Sequence, residues 1–285
     1  MTKLILHSAN IDQSLPQGSL VALEKSLQKG IARIEVDVIP LKDGDFALLH
    51  DPALESVSDQ HGTITDYSSD QIQSFRYKNT PYSLGTLSQA VDLIRDTALD
   101  DFFQLDLKPY APLIPQSMQN LLKLIEPIQE QVMVSTIADW AVRILRRLSP
   151  SLRLGFDPLL YLDLVEEEPR EEGIPPFRVG AYGYLDDHPL AAQRWGTLKD
   201  YFAARAEALL QQVPQGITWF INAQLLDEAN TAGFNWVEFL QQLTNSVNAW
   251  TLDMDRVDLA KKMVQIGVDF ITTNQYPEMK ATLIH

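Results

Sequence analysis

Cysteine is missing from all 285 residues, which excludes disulfides, thiolate metal sites and cysteine nucleophiles together. That absence fits a reducing compartment, so a cytoplasmic protein is expected. Long apolar runs are missing as well. The opening Met-Thr-Lys-Leu-Ile-Leu-His is far too short for a secretion signal. No stretch approaches about 18 uninterrupted apolar residues, so no membrane span is expected. Positive charge is scarce: 23 lysines and arginines face 38 aspartates and glutamates, a formal net charge of −15. Without a basic stripe to release counterions, nucleic acid is not an expected partner. An anionic small substrate would need a local positive centre inside this negative field. Repeats and low-complexity tracts are also lacking, and the 45% apolar content is that of an ordinary globular chain. One domain over 1–285 is expected, since α/β barrels commonly run to about 250 residues as a single unit.

What is present is concentrated between Arg33 and Asp51. Ile34, Val36 and Val38 alternate with Glu35 and Asp37, so a strand aims both carboxylates at one face. Two such groups lie roughly 6–7 Å apart along a strand. Their mutual repulsion calls for a cation between them, and hard oxygen ligands suit Mg²⁺ or Ca²⁺. Asp43-Gly44 is a strong two-residue hairpin signal. If those two residues are the loop, Leu41 faces Phe46 and Asp37 faces His50, which brings an imidazole beside the proposed ion. A slip of one residue would turn His50 to the other face.

The rest of the chain alternates strand and helix. Leu4 to His7 reads as a strand, and Leu20, Leu23 and Leu27 share a helical face between Ser19 as N-cap and Gly30 as stop. After Arg33–Val38 and the hairpin, residues 51–85 are polar and turn-rich, an excursion outside the sheet. Helices are expected over Thr86–Asp96, Gln116–Glu130, Ala138–Leu148, Leu198–Val213, Trp236–Leu243 and Val257–Ile266. Strands are expected at Phe102–Lys108, Val132–Thr136, Leu152–Phe156, Ile217–Ala223, Val247–Leu252 and Val268–Thr273. The segment 157–197, with Glu166-Glu167-Glu168, Phe177, Tyr182, Tyr184 and Trp195, breaks the rhythm as an insertion or lid. Eight parallel strands result, the count of an α/β TIM (β/α)8 barrel, with the Phe46–His50 strand as an antiparallel hairpin extra.

In such barrels the chemistry sits at the C-terminal ends of the strands. His7 closes the first strand, Glu35 and Asp37 lie on the second, and Asp106 and Lys108 close the third. Three carboxylates can hold one hard cation, two histidines can act as general acid and base, and Lys108 adds positive charge. Trp250, at the end of the seventh strand, is a candidate for lining the pocket. That inventory suits displacement at a phosphodiester.

These residues also resemble the glycerophosphodiester phosphodiesterase family. The resemblance rests on Gly30 through Val38, Leu41-Lys-Asp-Gly44, Leu49-His-Asp-Pro52, Leu105-Asp-Leu-Lys108, Val247-Asn-Ala-Trp-Thr251 and Gly267-Val-Asp-Phe-Ile-Thr-Thr273. It implies a TIM barrel and a metal bound by Glu35, Asp37 and Asp106. It implies His7 and His50 as the acid and base pair and Lys108 as a phosphate contact. A small glycerophosphodiester would be the substrate, and its own glycerol hydroxyl can act as nucleophile to give a cyclic intermediate. The family's His-Arg-Gly and Glu-Asn-Thr read His7-Ser8-Ala9 and Gln17-Gly18-Ser19 here, so Ser8 stands at the phosphate-binding position of an arginine. Losing both members of an ion pair costs less than leaving one buried alone. The family's third metal-binding glutamate is Asp106, shorter by about 1.5 Å. The alternative is a weakly active or inactive relative that binds a phosphorylated ligand or a protein partner. A third reading, proton abstraction beside a metal-bound carboxylate, rests only on the versatility of the fold.

Overall fold

A computed structural model describes residues 1–97, 99–162 and 196–283. Among these residues nine strands form a single sheet: β1 (Lys3–Leu6), β2 (Arg33–Pro40), β3 (Phe46–Leu48), β4 (Phe102–Leu107), β5 (Val132–Thr136), β6 (Arg153–Phe156), β7 (Thr218–Asn222), β8 (Ser246–Trp250) and β9 (Phe270–Thr273). All pair in parallel except β3, and β1 bonds to both β9 and β2, which closes eight strands into a barrel. Between them run α1 (Leu20–Gln28), α2 (Ser69–Ile72), α3 (Leu87–Arg95), α4 (Pro115–Ile125), α5 (Asp139–Leu148), α6 (Leu198–Leu210), α7 (Ala223–Thr231), α8 (Trp236–Gln241), α9 (Val257–Ile266) and α10 (Tyr276–Leu283). This is the TIM barrel expected from the alternation of periods. Among the described residues no helix is long and apolar enough to cross a membrane.

The local causes are readable. Ser19 accepts the backbone N–H of Ala22 at the start of α1, and Gly30 adopts φ +67° just past its end, the left-handed stop that a side chain would strain. Leu23 and Leu27 then bury in the main core between helices and sheet. Inside the barrel the strands alternate strictly. Ile5, Phe102, Met133 and Phe220 fill a lower apolar layer, and above it Glu35, Gln104 and Ser135 begin the polar floor of the mouth.

Three expectations change. The hairpin pairs Val38 with Leu48 and Pro40 with Phe46, one residue off the expected register, because the loop has three residues. Gly44 takes φ +93° whereas Asp43 is not left-handed, so the two-residue turn with φ > 0 at both centres does not form. Asp43 instead accepts the N–H and hydroxyl of Ser69 at the start of α2. The strand expected to reach His50 stops at Leu48, whose N–H turns to Gly85. The helix expected to run to Glu130 ends at Ile125, where Pro127 begins a 3₁₀ turn. Helices α7 and α10 were not anticipated; Asn222 caps the first through Gln224 N–H at 2.9 Å.

The excursion carries its own apolar cluster of Leu54, Ile64, Ile72, Tyr77 and Leu84, packed on Ile39, Leu41, Ala47 and Leu49 from the outer side of the hairpin. Of the proposed 157–197 insertion, residues 157–162, with a 3₁₀ turn at Pro158–Leu160, and residues 196–197, where Thr197 caps α6, fall in the described chain. Phe177, Tyr182, Tyr184, Trp195 and the glutamate run lie outside it.

Candidate active site

Barrel parity brings the acidic residues together. β2 and β4 pair with Glu35 beside Gln104 and Asp37 beside Asp106. Ligand oxygens of Glu35, Asp37 and Asp106 all lie within 4.8 Å of one another, at the C-terminal mouth. Lys108 stands above them, its Nζ 2.9 Å from Asp37 Oδ1 and 2.7 Å from Asp106 Oδ2. Burial alone would push the ammonium toward losing its proton, but Asp106 and Asp37 outweigh it and hold Lys108 charged.

Glu35 is pushed the other way. Burial, then the neighbouring Asp37 and Asp106, raise its pKa well above the usual carboxylate range, although it accepts the Ser8 N–H at 2.7 Å. The site therefore holds more negative charge than Lys108 neutralises. A divalent cation with M–O distances of about 2.3–2.6 Å spans oxygens this far apart and would cancel the excess. The residues present thus fit a hard divalent ion.

His7 follows β1 in a tight turn, with Ser8 and Ala9 at φ +48° and +49°. This turn points the Ser8 N–H at Glu35, while the Ser8 side chain is buried and absent from the cavity wall. His7 Nε2 lies 3.8 Å from Glu35 Oε2. Its Nδ1 is 2.9 Å from Asn274 Oδ1. Asn274 donates Nδ2–H to Asp253 Oδ2 at 2.9 Å, which turns its carbonyl toward the ring. The ring must donate there, so Nδ1 carries the proton and Nε2 is left to accept. Burial opposes ionisation of Asp253, but hydrogen bonds from Asn274 and Thr273 prevail and hold its carboxyl below the usual range.

His50 lies beyond the end of β3, so the register slip does not remove it from the mouth. Its Nδ1 pairs with Asp51 Oδ1 at 2.8 Å and its ring is half exposed. A carboxylate only accepts, so here too Nε2 is the open nitrogen. Glu35, Asp37, Asp106, Lys108, His7, His50 and Trp250 line one cavity of about 430 Å³. Leu107, Tyr110, Ile137, Leu159 and Phe220 supply its apolar wall.

Sequence reasoning missed Asn274, Asp253, Ser135 and Gln104. Asn274 directly follows the last barrel strand, a position that the strand-end rule could have flagged. Gln104 shares the face of Asp106 and Lys108, so strict period two would have included it. Ser135 donates to Asp106 Oδ1 at 2.9 Å and accepts from Gln104 Nε2 at 2.9 Å.

In architecture the chain is a TIM barrel with an acidic centre, flanked by histidines, at its C-terminal mouth. It belongs to the glycerophosphoryl diester phosphodiesterase family, whose model matches residues 11–277. A glycerophosphodiester phosphodiesterase of Caldanaerobacter subterraneus subsp. tengcongensis is 24% identical over 169 residues, covering 56% of this chain and 68% of that protein. A glycerophosphodiester phosphodiesterase of Parabacteroides distasonis superposes with a TM-score of 0.70 at 18% identity, covering 99% of this chain and 96% of that one. An Oleispira antarctica phosphodiesterase in complex with the product sn-glycerol-3-phosphate gives 0.65 at 17% identity, over 100% and 98%. At such identities the structural likeness shows the fold.

Proposed function

We propose that this chain is a metal-dependent hydrolase of glycerophosphodiesters or related small phosphodiesters, giving an alcohol and a phosphomonoester. The observation that carries this reading is the single cavity in which two histidines with open Nε2 atoms share walls with three converging carboxylates and Lys108. The product bound by the Oleispira antarctica relative has the same chemistry.

Glu35, Asp37 and Asp106 would hold the cation, Mg²⁺ or Ca²⁺. When bound, it would polarise a phosphoryl oxygen and offset charge developing there. Lys108 keeps a positive charge on the same side for a second oxygen. One imidazole takes the nucleophile's proton at Nε2, and the other delivers a proton to the leaving alkoxide. Over the cycle one water is consumed: its hydroxyl ends on phosphorus and its proton on the alcohol. Asn274 and Asp51 each accept from an Nδ1–H, which leaves Nε2 as the working nitrogen of both rings: it starts bare on the ring that acts as base and carries a second proton on the ring that acts as acid.

Glycerophosphocholine hydrolysis should disappear with chelator, and His7→Ala and His50→Ala should each lower kcat by roughly 10²–10⁴. A folded wild-type protein idle on a diester panel with Mg²⁺, Ca²⁺ and Mn²⁺ would defeat the proposal. One observation favours a second reading, a relative that binds phosphorylated ligands with little turnover. Lys108 is the only lysine or arginine lining the cavity among the described residues, and two carboxylates already engage it. Saturable binding of sn-glycerol-3-phosphate without hydrolysis of any diester would select that reading.

A further inference from the structure

Gln104 is 3% exposed and lines the floor of the cavity. Its place is set by register, since it pairs with Glu35 as Asp106 pairs with Asp37. Four oxygen-bearing side chains therefore make a two-by-two block across β2 and β4, three of them carboxylates and one an amide. The amide's orientation follows from Ser135. That hydroxyl has one hydrogen, which it donates to Asp106 Oδ1, so toward Gln104 it can only accept. Nε2 must face Ser135, and Oε1 is the free end. Among the described residues Oε1 is buried and has no hydrogen-bond partner. Buried carbonyl oxygens are rarely left so, and this one belongs to a residue that lines a site already calling for a cation.

We propose that Gln104 supplies, through Oε1, a fourth protein oxygen to the divalent ion held by Glu35, Asp37 and Asp106, and that this tilts the centre toward Ca²⁺. A neutral carbonyl raises the coordination number without adding charge to an already over-negative site. Ca²⁺ takes six to eight oxygens, side-chain amides among them, whereas Mg²⁺ keeps several waters and a strict octahedron. Ser135 acts as the positioning residue, since one hydroxyl orients both Gln104 and Asp106. The inference rests on the metal reading above but not on hydrolysis.

The test counts ligands rather than turnover. Ca²⁺ and Mg²⁺ affinities are measured by calorimetry, and Eu³⁺ luminescence lifetimes in H₂O and D₂O count the waters on an ion in the same site. In Gln104→Met, Ca²⁺ affinity should fall about 10-fold or more, Mg²⁺ affinity should fall less, and the water count should rise by about one. Gln104→Glu, which restores an oxygen, should return the wild-type water count and bind Ca²⁺ at least as tightly as wild type. Unchanged affinity and water count in the folded methionine variant would overturn the proposal. If that variant does not fold, the glutamate variant decides: weaker Ca²⁺ binding or an added water overturns it. A wild-type protein that binds no cation sinks the metal reading and this inference together. Cation binding indifferent to position 104 removes only the inference.

Discussion

Asn274 decides which nitrogen of His7 is left open, and it does so only because Asp253 fixes the turn of its amide. Asn274→Leu removes that choice while leaving the ring in place. Steady-state kinetics should show kcat down roughly 10²-fold with KM little changed; an unaltered kcat would mean that the contact is structural only. Glu35 gives a second prediction with a defined sign. Burial and its acidic neighbours raise its folded-state pKa above the unfolded value of about 4.3. The folded protein thus keeps a proton that the unfolded chain gives up. Stability of the cation-free protein should decline as pH rises from the unfolded value through the folded one. In chelator at pH 7, Glu35→Gln should be more stable by roughly 0.5–2 kcal/mol, as expected when an active-site conflict is relieved, and its Tm should no longer rise with Ca²⁺. A lower Tm than wild type would contradict this. His7, Glu35, Asp37 and Asp106 were legible in the sequence because charged or titratable groups at strand ends need a reason. Asn274 and Gln104 were not, since an amide looks the same whether it faces water or aims a neighbouring ring.

Elements carry the site by small residues as much as by reactive ones. On β6, a Cβ added to Gly155 would meet Phe220 Cε2 at 2.5 Å and Ser135 Cβ at 2.8 Å, both too close. The glycine lets the Phe220 ring fill the barrel while Ser135 keeps hold of Asp106. Gly155→Ala should cost about 1–3 kcal/mol in denaturant unfolding, as overpacking does, and should weaken cation binding through Ser135. Wild-type stability and affinity in that variant would show that the barrel relaxes freely there. The helices and strands that alternate in hydrophobic period could be read from sequence to within a few residues. The hairpin register could not, because Asp-Gly permits a two-residue turn and a three-residue one alike. What selected the longer loop was the contact of Asp43 with Ser69, 26 residues away. Pro127 was the opposite case, a local signal passed over in favour of periodicity.

Across the whole barrel charge is layered. At the end of the barrel opposite the mouth, Asp101 gathers Arg33 at 2.7 Å, Arg153 at 3.4 Å and Lys3 at 3.5 Å, joining β1, β2 and β6. Burial would raise its pKa, but Arg33 and Lys3 prevail and lower it. A depressed carboxylate stabilises the fold above its unfolded pKa of about 3.9, and that contribution is lost as pH falls through the folded value. Urea midpoints of Asp101→Asn should therefore lie below wild type near pH 6 and converge with it below about pH 4; a constant gap would assign the loss to packing. Closure of the sheet was foreseeable from the strand count, while the single register pair Leu6 with Ile34 that seals it was not. The same circular closure sets a temporal order on the chemistry. His7 and the amide that aims it lie 267 positions apart in sequence. A ribosome will have delivered Glu35, His7, Asp37, His50 and Asp106 well before Asn274 emerges. Throughout that interval the His7 ring of the nascent chain is unaimed, and on the proposed chemistry turnover should begin only after Asn274 has emerged and folded against it.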